Sequence, residues 1–328
     1  LSHRVFEVLR TFSPRVEMAS IDEAYLDMTG TERLHGRPLS AAHALHEAVK
    51  RGAGLNCSLG VATSRLVAKI ASDQAKPNGI LWVRPGTEAR FLAPLDVRRI
   101  PGVGKVTEAN LHRLGIRKVG DLARLEESFL EEKFGQWGLA LAGKARGLDA
   151  GGWFDSEIGE AEDPKSISHE HTFSADTADL LTLESMLARL TEMVARRLRE
   201  HGLYARTIQI KLRYGDFSTA TRARTLDHAT CVDADLLAEV RSLFRRNWTS
   251  KALRLLGVCA SSLERSEGQM RLLDQDQRDR WERALAAVDH LRDKFGESSV
   301  SLAASLKGTF QERTHENPAG LPGKSRKR

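Results

Sequence analysis

The chain has 328 residues, 41% of them hydrophobic and 29% charged, with a formal net charge of +6. That length suits two or three domains, and no apolar run of about 18 residues is present to span a bilayer as a helix. Three scattered cysteines, Cys57, Cys231 and Cys259, make neither a disulfide framework nor a zinc pattern and are expected as buried thiols in a reducing cytoplasm, while the positive charge favours a polyanionic partner.

The chain opens on Leu1 inside an amphipathic segment, with Val5, Phe6 and Leu9 at helical spacing. It shows no charged, apolar and small-residue order of a secretory signal, and it reads as a fragment. Residues 1–83 alternate short elements. A helix is expected near 3–11, strands near 15–20 and 24–29, a helix over 40–52, a strand over 55–63, a helix over 64–76 and a strand over 79–83. Residues 84–150 read as short helices with Gly-rich turns, and GGWFDSEIGEAEDP (151–164) as a linker. Residues 165–265 follow the order β-α-β-β-α-β, which lays two helices on one face of an antiparallel sheet. Residues 266–328 hold one helix near 277–295 and a polar tail, ENPAGLPGKSRKR. The whole is an α/β (α+β) multidomain chain.

Within S-I-D-E-A-Y-L-D (20–27), Asp22 and Glu23 sit side by side where two strands meet. Like charges that close repel, and each loses hydration if buried. At a turn the two carboxylates can converge and form a hard-oxygen site for Mg²⁺, of the kind that serves phosphoryl transfer with two ions. An exposed acidic turn is the plainer reading. Ser64 is placed to cap a helix whose Leu66, Val67, Ile70 and Ala71 make an apolar stripe. Lys69, Asp73 and Lys76 share another face, and Lys76 stands at the expected helix end, where a cation suits the macrodipole.

IPGVGKVTEANLHRLGI (100–116) has the sequence of a helix-hairpin-helix. Gly102 and Gly104 permit tight geometry that turns backbone N–H groups towards a phosphate, with Lys105 adding charge and His112, Arg113, Arg117 and Lys118 a basic edge. A second, poorer hairpin is expected around 134–147. In TIQIKLRYGDFSTATRARTL (207–226), Ile208, Ile210 and Leu212 alternate with Lys211 and Arg213, and Arg222 and Arg224 share a face of the next strand. Acids are nearly absent there, so a basic outer sheet face that grips a phosphate backbone is expected. A solvated charged face is the alternative.

VEMASIDEAYLDMTG, SLGVATSRLVAKIASDQAKPNGI, the helix-hairpin-helix segment, KSISHEHTF and ARTIQIKLRYGDFSTATRARTL occur in order. Together they resemble the Y-family translesion DNA polymerases, particularly their DNA polymerase IV-like branch. The resemblance implies a palm over residues 1–83, a thumb over 84–150 and a little finger over 165–265. It makes Asp22 a metal-binding carboxylate and Glu23 its catalytic neighbour, with two Mg²⁺ ions in the complete site. Ser20 and Tyr25 become structural flanks and Asp27 a surface residue. Lys76 is given a contact to the incoming dNTP triphosphate.

Gln269, Leu272 and Leu273 resemble the peptide with which such polymerases bind the sliding clamp. Primer-template DNA is the implied partner of a cytoplasmic, monomeric enzyme that works at the nucleoid. Against the family's pattern, no first strand with a further metal-binding Asp and no fingers segment precedes Leu1. An N-terminally truncated palm is therefore expected, one whose catalysis would depend on those parts and whose sheet would expose an edge. Two rivals predict different residues. A DNA- and clamp-binding adaptor need not keep both Asp22 and Glu23. A repair nuclease or glycosylase would carry a further catalytic constellation near 100–150, and none is legible in the sequence.

Overall fold

The computed structural model describes residues 1–159, 163–266, 275–296 and 299–301. The chain forms two compact units, which divide between residues 162 and 163. Among the described residues, no helix is long and apolar enough to cross a membrane.

The first unit begins with α1 (Ser2–Arg10), β1 (Val16–Met18), β2 (Ala24–Leu26), α2 (Glu32–His35), α3 (Pro38–Ala53), β3 (Leu59–Val61), α4 (Arg65–Gln74) and β4 (Ile80–Trp82). β1 and β2 pair antiparallel with Glu17 opposite Tyr25, and β3 and β4 pair parallel with Gly60 opposite Leu81. β1 and β2 are shorter than the alternation suggests, because the chain bends at 19–23 and again at Asp27–Thr29, where Asp27 accepts the Thr29 N–H at 2.9 Å. Phe6, Leu9, Val16, Met18, Leu45 and Val49 bury one small core beneath the hairpin. Gly60 has a packing reason: a Cβ there would fall 1.9 Å from the Ala68 carbonyl oxygen, so α4 lies directly against β3.

The unit continues through α5 (Glu88–Leu92), a 3-10 turn (Val97–Arg99), α6 (Lys105–Arg113), α7 (Val119–Ala123), α8 (Glu127–Phe134), α9 (Gln136–Ala145) and a second 3-10 turn (Gly152–Asp155). The only extended pairing described here is an isolated bridge between Asp96 and Lys118. Leu66, Val67, Ile70 and Ala71 of α4 share one core with Val97, Leu111, Leu122, Leu130 and Leu141. Packing therefore runs unbroken across residue 83, where composition alone suggests a boundary. Residues 151–159, expected as linker, also belong to this body. Phe154 lies in the same core, and the Gly159 N–H donates to Glu17 Oε2 at 3.2 Å.

The second unit is β5 (Ser166–Thr177), α10 (Leu180–His201), β6 (Tyr204–Tyr214), β7 (Thr219–Thr230), α11 (Asp233–Asn247), β8 (Leu253–Glu264) and α12 (Gln275–Phe295). The expected β-α-β-β-α-β order is borne out as an antiparallel sheet in the order β5-β8-β6-β7. Leu183, Leu187, Leu190 and Val194 of α10 and Val240 and Phe244 of α11 cover one face against Ile208, Ile210 and Leu212. α12 is tied to α10 by ion pairs, Arg196 to Asp293 at 2.8 Å and Arg199 to Asp289 at 2.7 Å. Cys231 is buried and Cys57 and Cys259 are half-buried.

His169 lies on the helix-covered side of β5. Burial, reinforced by the charges of Arg197 and Arg189, pushes its imidazole down from 6.5 to about 4. The unfolded ring takes a proton near its ordinary value while the folded ring stays neutral until about pH 4, so protons favour unfolding across that window. The stabilisation from the neutral ring is complete above pH 6.5 and is lost as pH falls towards 4. Urea unfolding followed between pH 7 and pH 4 should show the wild type losing up to roughly 3 kcal/mol more than His169→Leu. Equal losses would contradict this assignment.

Candidate active site

The bend between β1 and β2 is closed by its own backbone. The Ala19 and Ser20 N–H groups both donate to the Glu23 carbonyl, at 2.8 and 3.1 Å. Asp22 stands exposed at the tip, and Ser20 Oγ donates to Asp22 Oδ1 at 2.5 Å. Glu23 is half-buried and held on both oxygens: Tyr25 Oη donates to Oε1 at 2.8 Å, and the Lys69 ammonium pairs with Oε2. Burial, and then the bond to Glu23, pushes the Tyr25 phenol well above its ordinary range, so it remains a donor. Ser20 and Tyr25, expected as structural flanks, thus each orient one of the two carboxylates. Asp27, expected as a surface residue, is half-buried and pairs with Arg15 at 3.2 Å.

α4 supplies Lys69, and its position is fixed from its first turn. Ser64 caps it, accepting the Val67 N–H at 3.3 Å, as its sequence position implies. The Arg65 and Leu66 N–H groups donate to the two oxygens of Asp149, at 2.9 and 2.8 Å. Ser64 Oγ donates to the Gly147 carbonyl at 2.8 Å. Arg65 is buried; its Nη1 donates to the Ser156 carbonyl at 2.7 Å, and its guanidinium lies 5.4 Å from the Tyr25 ring centre. The helix ends at Gln74, so Lys76 falls two residues beyond it rather than on its last turn. The Lys76 ammonium donates to Asp73 Oδ1 at 2.6 Å, and that bond, with the nearby carboxylates, raises its pKa.

Asp22, Glu23, Lys69 and Lys76 all line one cavity of about 1470 Å³. Two adjacent carboxylates, one exposed and one anchored, are the oxygen donors a hard divalent cation takes. Lys69 was visible in the sequence only as one residue of a polar helix face. Its pairing with Glu23 spans 46 positions, beyond the reach of any local pattern.

At the hairpin, the two glycines do different work. Gly102 has φ +95°, and a Cβ there would meet the Trp137 ring at 2.5 Å. Gly104 is exposed, caps α6 without a side-chain bond, and has no neighbour within 4 Å of a Cβ. Glu108 N–H makes the first intrahelical bond, to the Gly104 carbonyl at 2.9 Å, so the preceding N–H groups and the exposed Lys105 face outwards. Beneath the loop, buried Lys144 donates to the Pro101 carbonyl at 3.2 Å and lies 4.7 Å from the ring centres of both Trp137 and Phe154. Residues 134–147, expected as a second hairpin, are mostly the single helix α9, entered from α8 through Gly135. Arg113, Arg117 and Lys118 are exposed at the edge, but His112 is half-buried.

Register corrects the expected sheet surface. Lys211 pairs with Thr221 and Arg213 with Thr219, whereas Arg222 pairs with Ile210 and Arg224 with Ile208. Directly paired residues share a face, so Lys211 and Arg213 lie on the open side, and Arg222 and Arg224 on the side of the helices. There Arg224 Nη1 donates to Glu239 at 2.8 Å, and Arg222 Nε to Asn247 at 3.1 Å, both on α11. The open face is instead hydroxyl-rich. One row runs Ser166, Ser261, Thr207, Thr225, and another runs Glu170, Gly257, Lys211, Thr221. Lys211 donates to both Glu170 oxygens, at 2.8 and 3.0 Å, and Arg213 Nε to Thr219 Oγ1 at 2.9 Å. Gln269, Leu272 and Leu273 lie outside the described residues.

Residues 1–73 match the impB/mucB/samB family, 85–116 the IMS family HHH motif and 164–272 the impB/mucB/samB family C-terminal domain. DNA polymerase IV of Dehalococcoides mccartyi is 38% identical over 308 residues, spanning 93% of this chain and 77% of that protein. DNA polymerase IV of Methanoculleus marisnigri is 41% identical over 264 residues, spanning 80% of this chain and 72% of that protein. Among solved structures, a Y-family DNA polymerase chimera of Dbh and Dpo4 superposes with a TM-score of 0.64 at 26% identity, covering 80% of this chain and 75% of that one.

Proposed function

This chain belongs to the Y family of DNA polymerases, in its DNA polymerase IV branch, and we propose that Asp22 and Glu23 carry its nucleotidyl transfer. The enzyme is a DNA-directed DNA polymerase of the translesion type. The observation that carries the residue assignment is the convergence of Asp22, Glu23, Lys69 and Lys76 on one cavity.

In this reading the primer 3′-hydroxyl attacks the α-phosphorus of an incoming dNTP and diphosphate leaves. Asp22, exposed and fixed by Ser20, holds a divalent cation, which we take as Mg²⁺ and, in the complete site, as two ions. When bound there, such a cation would supply charge neutralisation and activation of the attacking oxygen. Glu23, held by Tyr25 and Lys69, is its neighbour in the same cavity. Lys76, a point charge on a flexible stem, exchanges Asp73 for the triphosphate. Residues 1–83, 84–150 and 165–265 act as palm, thumb and little finger.

Gly104 and Lys105 take a DNA phosphate at the start of α6, and Gly102 sets the hairpin's shape. On the open sheet face Lys211 and Arg213 among the hydroxyls grip the backbone of primer-template DNA. The same reading places the enzyme in the cytoplasm as a monomer, with Gln269, Leu272 and Leu273 as its contact to the sliding clamp.

Primer extension with Mg²⁺, using the protein expressed from its whole reading frame, tests the assignment. Asp22→Ala should lower extension at least about a hundredfold while DNA binding persists; undiminished extension would remove Asp22 from the site. The sheet makes a separate claim. Lys211→Ala with Arg213→Ala should weaken DNA binding and lower the slope of log K against log salt by about 2. Arg222→Ala with Arg224→Ala, on the other face, should leave that slope unchanged. The reverse pattern would show that DNA lies along the helix side.

A further inference from the structure

His112 turns away from the basic edge of the hairpin towards two carboxylates. Asp96 precedes the 3-10 turn, where its Oδ1 accepts the Arg98 N–H at 3.0 Å. Glu108 and His112 stand one turn apart on α6. One ligand atom from each of Asp96, Glu108 and His112 lies within 4.8 Å of the others, and all three residues are half-buried. His112 Nε2 is shielded from solvent and has no hydrogen-bond partner. A shielded, unpaired ring nitrogen is costly unless something binds it, and two carboxylates at this spacing favour a cation between them. Arg98 answers part of that charge, with Nη1 3.4 Å from Glu108 Oε2, but it is itself an exposed side chain.

We propose that Asp96, Glu108 and His112 form a transition-metal site of the Zn²⁺ class, separate from the Asp22–Glu23 pair. Glu108 and His112 have the i, i+4 spacing that puts two ligands on one helix face, and an imidazole beside carboxylates suits Zn²⁺ better than the all-oxygen preference of Mg²⁺. Three protein ligands leave a fourth tetrahedral position for water. The metal joins the chain just before the hairpin to the helix just after it. It thereby fixes the loop that carries Gly102 and Gly104, at the expense of the Arg98–Glu108 ion pair. No chemistry is assigned to it.

The test is calorimetric titration of the full chain with Zn²⁺, in excess Mg²⁺ to occupy oxygen-only sites, alongside Glu108→Gln and His112→Gln. The wild type should bind a saturable equivalent that raises its thermal midpoint. Each variant, with unchanged circular dichroism, should bind that equivalent at least about tenfold more weakly and lose the thermal shift. Absence of saturable binding, or isotherms and thermal shifts unchanged in both variants, would overturn the site.

Discussion

The geometry of the palm cavity depends on where α4 begins. A helix leaves its first N–H groups without intrahelical partners, and two of those at the start of α4 are answered by Asp149, more than eighty residues later in the chain. Ser64 and Arg65 add bonds to Gly147 and Ser156 from the same end. These contacts set the helix's axial position and rotation, and so decide where Lys69 emerges against Glu23. A single helix thus orients one carboxylate on its polar side while its apolar side, Leu66, Val67 and Ile70, enters the core of the helices that follow. The helix thereby ties the bend that carries Asp22 and Glu23 to the hairpin-bearing helices, although the bend's own strands pack on a separate core of Phe6, Leu9, Val16 and Met18.

The second unit rests on a simpler constraint. A strand presents alternate residues to opposite faces, and the ladder decides which residues of the next strand join them. Here residues of like parity meet across β6 and β7, so isoleucines and the two arginines of β7 share the helix side. At that edge the arginines reach α11 and cover its flank. The opposite side is left largely with small and hydroxyl-bearing residues around Arg213 and Lys211, the latter paired with Glu170.

Local signals carried much of this. The S-I-D-E-A-Y-L-D bend, the Ser64 cap, the glycines of the hairpin and the β-α-β-β-α-β order were all legible, because each depends on residues within a few positions of one another. What escaped depends on distant pairing. Strand parity could place Lys211 with Arg213, and Arg222 with Arg224, but only the register relates the two sets, and a shift of one residue reverses the answer. Lys69 as partner of Glu23, and Asp96 beside Glu108 and His112, are likewise products of tertiary packing. Composition reads GGWFDSEIGEAEDP as linker, and the two units divide within it, but its first part, 151–159, packs with the first unit because Phe154 docks in the core.

The most direct measurement is the count of bound Mn²⁺ by electron paramagnetic resonance, with primer-template and a non-hydrolysable dNTP analogue, in the wild type and in Asp22→Asn. The account predicts at least one fewer tightly held ion in the variant, with DNA still bound. Equal counts and affinities in the two proteins would contradict a metal-binding role for Asp22, and with it the placement of the active site at this bend.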